Sequence, residues 1–235
     1  MARLPRIDLP GIPQHVVQRG NNRLPCFLDD GDRLRYLHLL ADALLATRCE
    51  LHAYVLMDNH VHLLVTPPEP GAVSRMMQRL GRNYVALFNG RHGRTGTLWE
   101  GRYKACLVDS EHYVLRCYRY IELNPVRARL TDNPATWRWS SCAANTGQRR
   151  GSGLTPHASW LALGSTEAER ASAYRTLLDE TLDDDTLAEI RCYLQQQRAF
   201  GHDAFRAMVE AKTQRFAGTR PAHRPPRPPS STKRP

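Results

Sequence analysis

The chain has 235 residues, 41% of them hydrophobic, and its 33 basic and 23 acidic side chains give a formal charge of +10. This length supports one packed core of roughly 140 residues with a smaller appendage, or two modest domains. No apolar run approaches the roughly 20 residues that span a bilayer, and MARLPRIDLPG lacks a secretory core, so a soluble cytoplasmic protein is expected.

"IPQHVVQRG" (12–20) alternates around β-branched residues and ends at Gly20-Asn21-Asn22, which predicts a strand and a turn. "DDGDRLRYLHLLADALLATR" (29–48) predicts a helix with Leu34, Leu37, Ala41 and Leu44 on its inward stripe. "ELHAYVLM" and "HVHLLVTP" predict two strands joined tightly at Asp58-Asn59. A second helix follows at 71–90, with Val73, Met77, Leu80, Tyr84 and Leu87 inward and Arg75, Arg79 and Arg82 outward. "YKACLV" (103–108) is a fourth strand, and "SEHYVLRCYRYIELN" (110–124) a third helix ended by Pro125. The order βαββαβ plus a helix predicts an α+β, ferredoxin-like fold: an antiparallel sheet with helices on one face, an additional helix, and a C-terminal helical extension. Residues 135–160 read as irregular, 160–210 as helices, and the Pro/Arg-rich end as disordered. The expected division is 1–145, 146–212 and 213–235.

Six cysteines, Cys26, Cys49, Cys106, Cys117, Cys142 and Cys192, form no C-x-x-C pair. That argues against a zinc knuckle or redox motif, and they are expected to be reduced and mostly buried. Thirty of the basic residues are arginine, which points to a polyanionic partner. Residues 1–160 hold 21 basic and 13 acidic groups, 161–210 hold 5 and 10, and 211–235 hold 7 and none.

"YVLMDNHVHLLV" (54–65) places two histidines in an apolar run. Because side chains alternate along a strand, His60 and His62 share one sheet face. The spacing alone also suits two histidines simply hydrogen-bonded in a sheet. Tyr120 and Asn124 stand one helical turn apart: Tyr120 is about 40° and Tyr118 about 120° around the helix from Asn124. If Asn124 lends its amide oxygen to a metal held by His60 and His62, the phenol of Tyr120 reaches what that metal binds. Such a mixed nitrogen and oxygen set suits Mg²⁺ or Mn²⁺.

"GIPQHVVQRGNNR", "YVLMDNHVHLLV", "LWEGRYKA", "YRYIELNPVRARL" and "WRWSS" together resemble the REP-associated tyrosine transposases, a branch of the single-tyrosine HUH nucleases related to small insertion-sequence transposases. The resemblance spans about residues 10–145. It implies that His60-Val61-His62 is the HUH motif, Tyr120 the nucleophile and Asn124 the third metal ligand. The implied activity is cutting and rejoining of single-stranded DNA beside imperfect hairpins through a 5′-phosphotyrosine, by a monomer or homodimer. Asp58-Asn59 departs from the family, where proline is more usual before the histidines, and is expected to alter the turn and leave the chemistry alone.

Candidate nucleic-acid contacts are Arg19, Arg23, Trp99, Arg102, Tyr103, Lys104 and Arg127, with Arg129 beside the last. Glu100 and Glu122 are expected to pair with arginines. Two other readings remain open on sequence: a non-catalytic binder of hairpin DNA or RNA, and a metal phosphoesterase, which would need a carboxylate base that the histidines lack. The basic surface carries its own expectation. For about four to six phosphate contacts, log K for single-stranded DNA against log[salt] falls with a slope of roughly −3 to −4; a salt titration measures it, and a flat line would remove the phosphate contacts.

Overall fold

The computed structural model describes residues 6–109, 113–151 and 153–221. Its elements are β1 (Gln14–Arg19), α1 (Asp30–Thr47), β2 (Glu50–Met57), β3 (His60–Thr66), α2 (Ala72–Arg91) and β4 (Lys104–Val108), in the expected βαββαβ order. Then come α3 (Val114–Glu122), α4 (Asn124–Arg127), α5 (Cys142–Asn145) and α6 (Ala158–Leu161). The C-terminal part holds α7 (Glu167–Asp179), α8 (Asp184–Gln196), β5 (Ala199–Phe200) and α9 (Asp203–Thr213).

The sheet runs β2-β3-β1-β4-β5, antiparallel through four strands and parallel at β4/β5. β5 departs from the all-helical expectation for 160–210. Leu107 N donates to Arg198 O at 3.0 Å and Asp109 N to Phe200 O at 2.9 Å, so this two-residue strand satisfies backbone that β4 would otherwise bury unpaired.

Helices cover both sheet faces, not one. Val16, Leu56, Val61, Leu63 and Val65 pack against Tyr36 and Leu40 of α1 and Met76, Leu80 and Tyr84 of α2. On the other face, Val55, Leu64, Cys106 and Val108 meet Val114, Tyr118 and Ile121 of α3 and Tyr174, Ile190 and Tyr193 of the C-terminal helices. Two-sided burial is why the central strands are apolar nearly throughout instead of alternating with polar residues.

Three local expectations change. The buried stripe of α1 is Tyr36, Leu40, Ala43 and Leu44, while Leu34 is exposed; Tyr36 joins an aromatic cluster with Phe27, Tyr84 and Trp99 that fixes the helix rotation. Pro125 does not end the helical path. It occupies the first turn of α4, where no amide is needed, after a small break at Leu123. The third is Glu122, which among the described residues pairs with no arginine. It is fully buried and accepts from the hydroxyl of Ser141, from Asn145 Nδ2 at 2.7 Å and from Tyr174 OH at 2.7 Å, tying α3 to α5 and α7.

The cysteines are free, five buried and Cys192 exposed. After α9 the chain returns along the core: Ala217 is buried and its carbonyl accepts from Ala199 N at 3.0 Å. The remainder of the expected disordered tail, from 222 onward, lies outside the described residues. Among the described residues, no helix is long and apolar enough to cross a membrane.

Burial raises the Glu122 carboxyl to about 7, against hydrogen bonds from Ser141, Tyr174 and Asn145 that lower it. Between its ordinary value of 4.5 and about 7, the unfolded chain holds fewer protons than the folded one, so this group makes stability fall as pH rises through that window. Glu122→Gln is expected to flatten that fall and raise stability at pH 8 by up to roughly 3 kcal/mol. Thermal unfolding of both proteins at pH 5 and pH 8 checks this; parallel pH dependence would refute it.

Candidate active site

Strand register assembles the site. β1 and β3 pair with Arg19 opposite His60, Val17 opposite His62 and His15 opposite Leu64, so His15, His60 and His62 share one face with Arg19. The β2/β3 turn that precedes His60 is clamped from outside. Arg33 binds the Asp58 carboxylate, Cys26 N donates to Asp58 O at 2.8 Å and Gly20 N to Asn59 O at 2.8 Å. Gly20 must be glycine, because a Cβ there would stand 2.2 Å from Leu24 O.

His60 and His62 are each oriented through Nδ1. His60 Nδ1 lies 2.7 Å from Asn59 Oδ1; since that oxygen only accepts, His60 carries its proton on Nδ1 and keeps a lone pair on Nε2. His62 Nδ1 lies 2.8 Å from His15 Nε2. Of the two tautomer pairs that satisfy this bond, the one with the proton on His62 Nδ1 frees His62 Nε2 as a donor to a cation. Burial pushes His60 down to about 4, with Arg19 adding to the effect, and His15 down to about 3, with Arg127 adding to it. His62 is held well below the usual imidazole range by burial, with His15 acting in the same direction. All three rings are therefore neutral at pH 7, the form that ligates a metal.

Tyr120 closes the cluster. Its ring centroid lies 5.8 Å from His62 and 5.5 Å from His15, both edge-on, and it is 6% exposed. Tyr118 and Tyr113 are placed as packing residues: the Tyr118 hydroxyl accepts from His157 N, and the Tyr113 ring meets Phe200. Arg127 lays its guanidinium 4.6 Å from the Tyr120 ring centroid and donates to Tyr120 O. Burial lowers that guanidinium to about 10, against the pull of Tyr120, so it stays a cation. Asn124 donates from Nδ2 to Tyr120 O at 2.9 Å, which leaves Oδ1 as the atom available to a ligand. Among the described residues no three His, Cys, Asp or Glu side chains converge for a metal, so a third donor beside the two histidines would come from another kind of group; an amide oxygen such as Asn124 Oδ1 has suitable chemistry.

The expected nucleic-acid contacts divide into two groups. Arg19, Arg102 and Lys104 line a cavity of about 240 Å³ together with Val17, Glu100, Gly101 and Gln195, next to the histidines because Val17 and Arg19 are their cross-strand partners. Arg23 is exposed on the adjoining turn, its carbonyl accepting from Asn59 Nδ2 at 3.0 Å. Trp99 and Tyr103 instead belong to the core, each 7% exposed, and the Tyr103 ring is covered by Arg6 at 3.6 Å. Sequence alone missed His15 and Asn59. The signal for His15 was its parity with Arg19 along β1, which becomes informative only once β1 is known to lie beside β3.

Residues 10–124 match the family of IS200-like transposases. A solved REP-associated tyrosine transposase bound to a REP hairpin has a similar fold, with a TM-score of 0.51 at 20% identity over 66% of this chain and 89% of that one. A transposase structure from Deinococcus radiodurans aligns with a TM-score of 0.35 at 21% identity over 55% of this chain and 91% of that one. No protein of curated function matches. Residues 10–124, the segment that carries both histidines, Tyr120 and Asn124, are thus the part of the chain that is similar to the IS200-like transposases.

Proposed function

We propose that the protein is a REP-associated tyrosine transposase: a divalent-metal-dependent endonuclease and strand transferase for single-stranded DNA beside hairpin, REP-like palindromic elements. The observation that carries this reading is the packing of the Tyr120 ring against His62 and His15 under the guanidinium of Arg127. His60, His62 and Asn124 would hold Mg²⁺ or Mn²⁺ through Nε2, Nε2 and Oδ1. When bound, the ion neutralises charge that develops on the non-bridging phosphate oxygens.

The Tyr120 oxygen attacks phosphorus in line with the scissile bond. A bond forms from the phenolic oxygen to phosphorus and the bond from phosphorus to the 3′ oxygen breaks; the phenolic proton is lost and the leaving oxygen takes one up as a 3′-OH. The product is a 5′-phosphotyrosine. A phenol with an ordinary pKa near 10 leaves more readily than an alcohol, so attack by a 3′-OH reverses the step and joins strands. Arg127 places a fixed cation beside the developing charge. Arg19, Lys104 and Arg102 supply phosphate contacts on the same face. That a protein of similar fold binds a REP hairpin supports a hairpin substrate here. The chemistry belongs to residues 1–145, and the helical extension 146–212 supports it from behind through contacts such as Tyr174 with Glu122.

Trapping of a single strand labelled on the 3′ side of the cut tests this reading. Wild type is expected to form a covalent adduct in Mn²⁺, and Tyr120→Phe to form none while binding hairpin DNA within about twofold of wild type; an undiminished adduct would sink the assignment. His60→Ala and His62→Ala should abolish cleavage. His15→Ala should weaken Mn²⁺ binding by roughly 10- to 100-fold, the usual effect of removing a group that orients a ligating imidazole. Electron paramagnetic resonance titration of Mn²⁺ measures that directly, and unchanged affinity would exclude His15 from the metal's support.

A further inference from the structure

On the sheet face opposite the histidines, a second cavity of about 580 Å³ opens between α2 and the β1/β4 edge. Its lining includes Gln18, Met77, Gly81, Arg82, Arg102 and Arg6. Gln18 neighbours Arg19 on β1 and so points to the other face, opposite Val61. It is 8% exposed, and its Oε1 is buried without a hydrogen-bond partner among the described residues. A buried amide oxygen left bare costs stability unless an N–H reaches it. Gly81, having no side chain, keeps the floor open: a Cβ there would meet nothing nearer than Trp99 Nε1 at 3.8 Å, an indole nitrogen that is also buried without a partner.

The mouth is cationic. Arg82 and Arg102 are exposed, Arg6 stacks on Tyr103, and no carboxylate is among the residues that line the cavity. Burial lowers the Arg6 guanidinium, and the proximity of Arg102 acts in the same direction, as expected of crowded like charges. Arg102 also lines the smaller cavity beside Arg19 and Lys104. The two cavities therefore meet at one arginine on the sheet rim.

We infer that this second cavity receives one unpaired nucleobase of the DNA strand, turned out of the backbone where the strand passes Arg102. The base inserts over Met77 and Gly81, and an N–H on its edge donates to Gln18 Oε1. The flanking phosphates rest on Arg82 and Arg102. This rests on the single-stranded DNA substrate proposed above. The size and chemistry agree with a nucleotide site, since apolar floors with a few fixed polar groups bind such ligands and guanidiniums bind their phosphates.

Methyl-labelled methionine provides a local probe, because Met77 lines the cavity and the other four methionines are not among its lining residues. The full chain is titrated, in chelator, with a mixed-sequence single-stranded dodecamer and with an abasic strand of equal length. The Met77 methyl is expected to shift with the base-containing strand and to stay unmoved with the abasic one. Gly81→Leu should fill the floor and Gln18→Met should remove the amide at similar volume. Each should lower affinity for the base-containing strand about three- to tenfold, toward that of the abasic strand. An unmoved Met77 while the dodecamer binds, equal shifts from both strands, or wild-type affinity in both variants would overturn the proposal. Covalent trapping through Tyr120 reports separately on strand transfer, so an adduct formed without any Met77 response would remove this base site and leave the enzymatic reading standing.

Discussion

The antiparallel register of β1 against β3 is the constraint on which the rest of the molecule depends. Six residue pairs, from Gln14 with Val65 to Arg19 with His60, decide which side chains share a face. In this register His15, Val17 and Arg19 join His60 and His62, while Val16 and Gln18 join Val61 and Leu63. A shift of one residue would exchange these sets, burying Arg19 among the aromatics of α1 and α2 and moving Gln18 into the histidine cluster. Several polar clamps hold the register at the open end of the pair: Gly20 on Asn59, Cys26 on Asp58 and Arg33 on the Asp58 carboxylate. The turn and the site are one construction, because Asn59 both receives Gly20 N and orients His60.

α3 is set with comparable firmness. One side carries Tyr120 toward the histidines, and another drives Val114, Tyr118 and Ile121 into the second core. Glu122 adds a polar anchor in which one carboxylate accepts from Ser141 just before α5, Asn145 on α5 and Tyr174 on α7. Buried polar groups are costly unless satisfied, and a satisfied network admits few alternative packings. The angular position of Tyr120 is thus fixed in part from α7, whose Tyr174 holds the Glu122 carboxylate two residues further along α3.

Much of this could be read from the chain alone, for physical reasons that differ by residue. The order of the first four strands followed from length, periodicity and turn residues, and the pairing of His60 with His62 from strand parity. Tyr120 separated from Tyr118 through helical angle alone. What stayed hidden depended on which elements become neighbours. His15 looks like any strand histidine until β1 lies next to β3. Asn59 looks like a turn former, since asparagine suits turns, and its hydrogen bond to His60 is invisible without coordinates. Glu122 follows Arg119 on a helix rich in arginine, so an ion pair was the natural expectation; burial by α7, more than fifty residues later in the chain, replaced it. α1 offers two plausible apolar stripes, and the aromatic cluster around Tyr36 chose between them. β5 is too short to leave any period in the sequence.

The way the sheet ends at its two sides bears on how copies of this chain can associate. At β2, the segment after α4 lies along the outer edge: Leu56 N donates to Trp139 O, Ser141 N to Tyr54 O and Thr155 N to Leu51 O. At β4, the outermost pairing positions Leu107 and Val108 are taken by β5, itself backed by Ala217. Both margins are therefore occupied by the protein's own chain, which blunts the tendency of bare strands to recruit one another. Two copies joining by a continuous shared sheet would first have to strip away one of these borders. Association through helical surfaces or through a common DNA strand carries no such requirement.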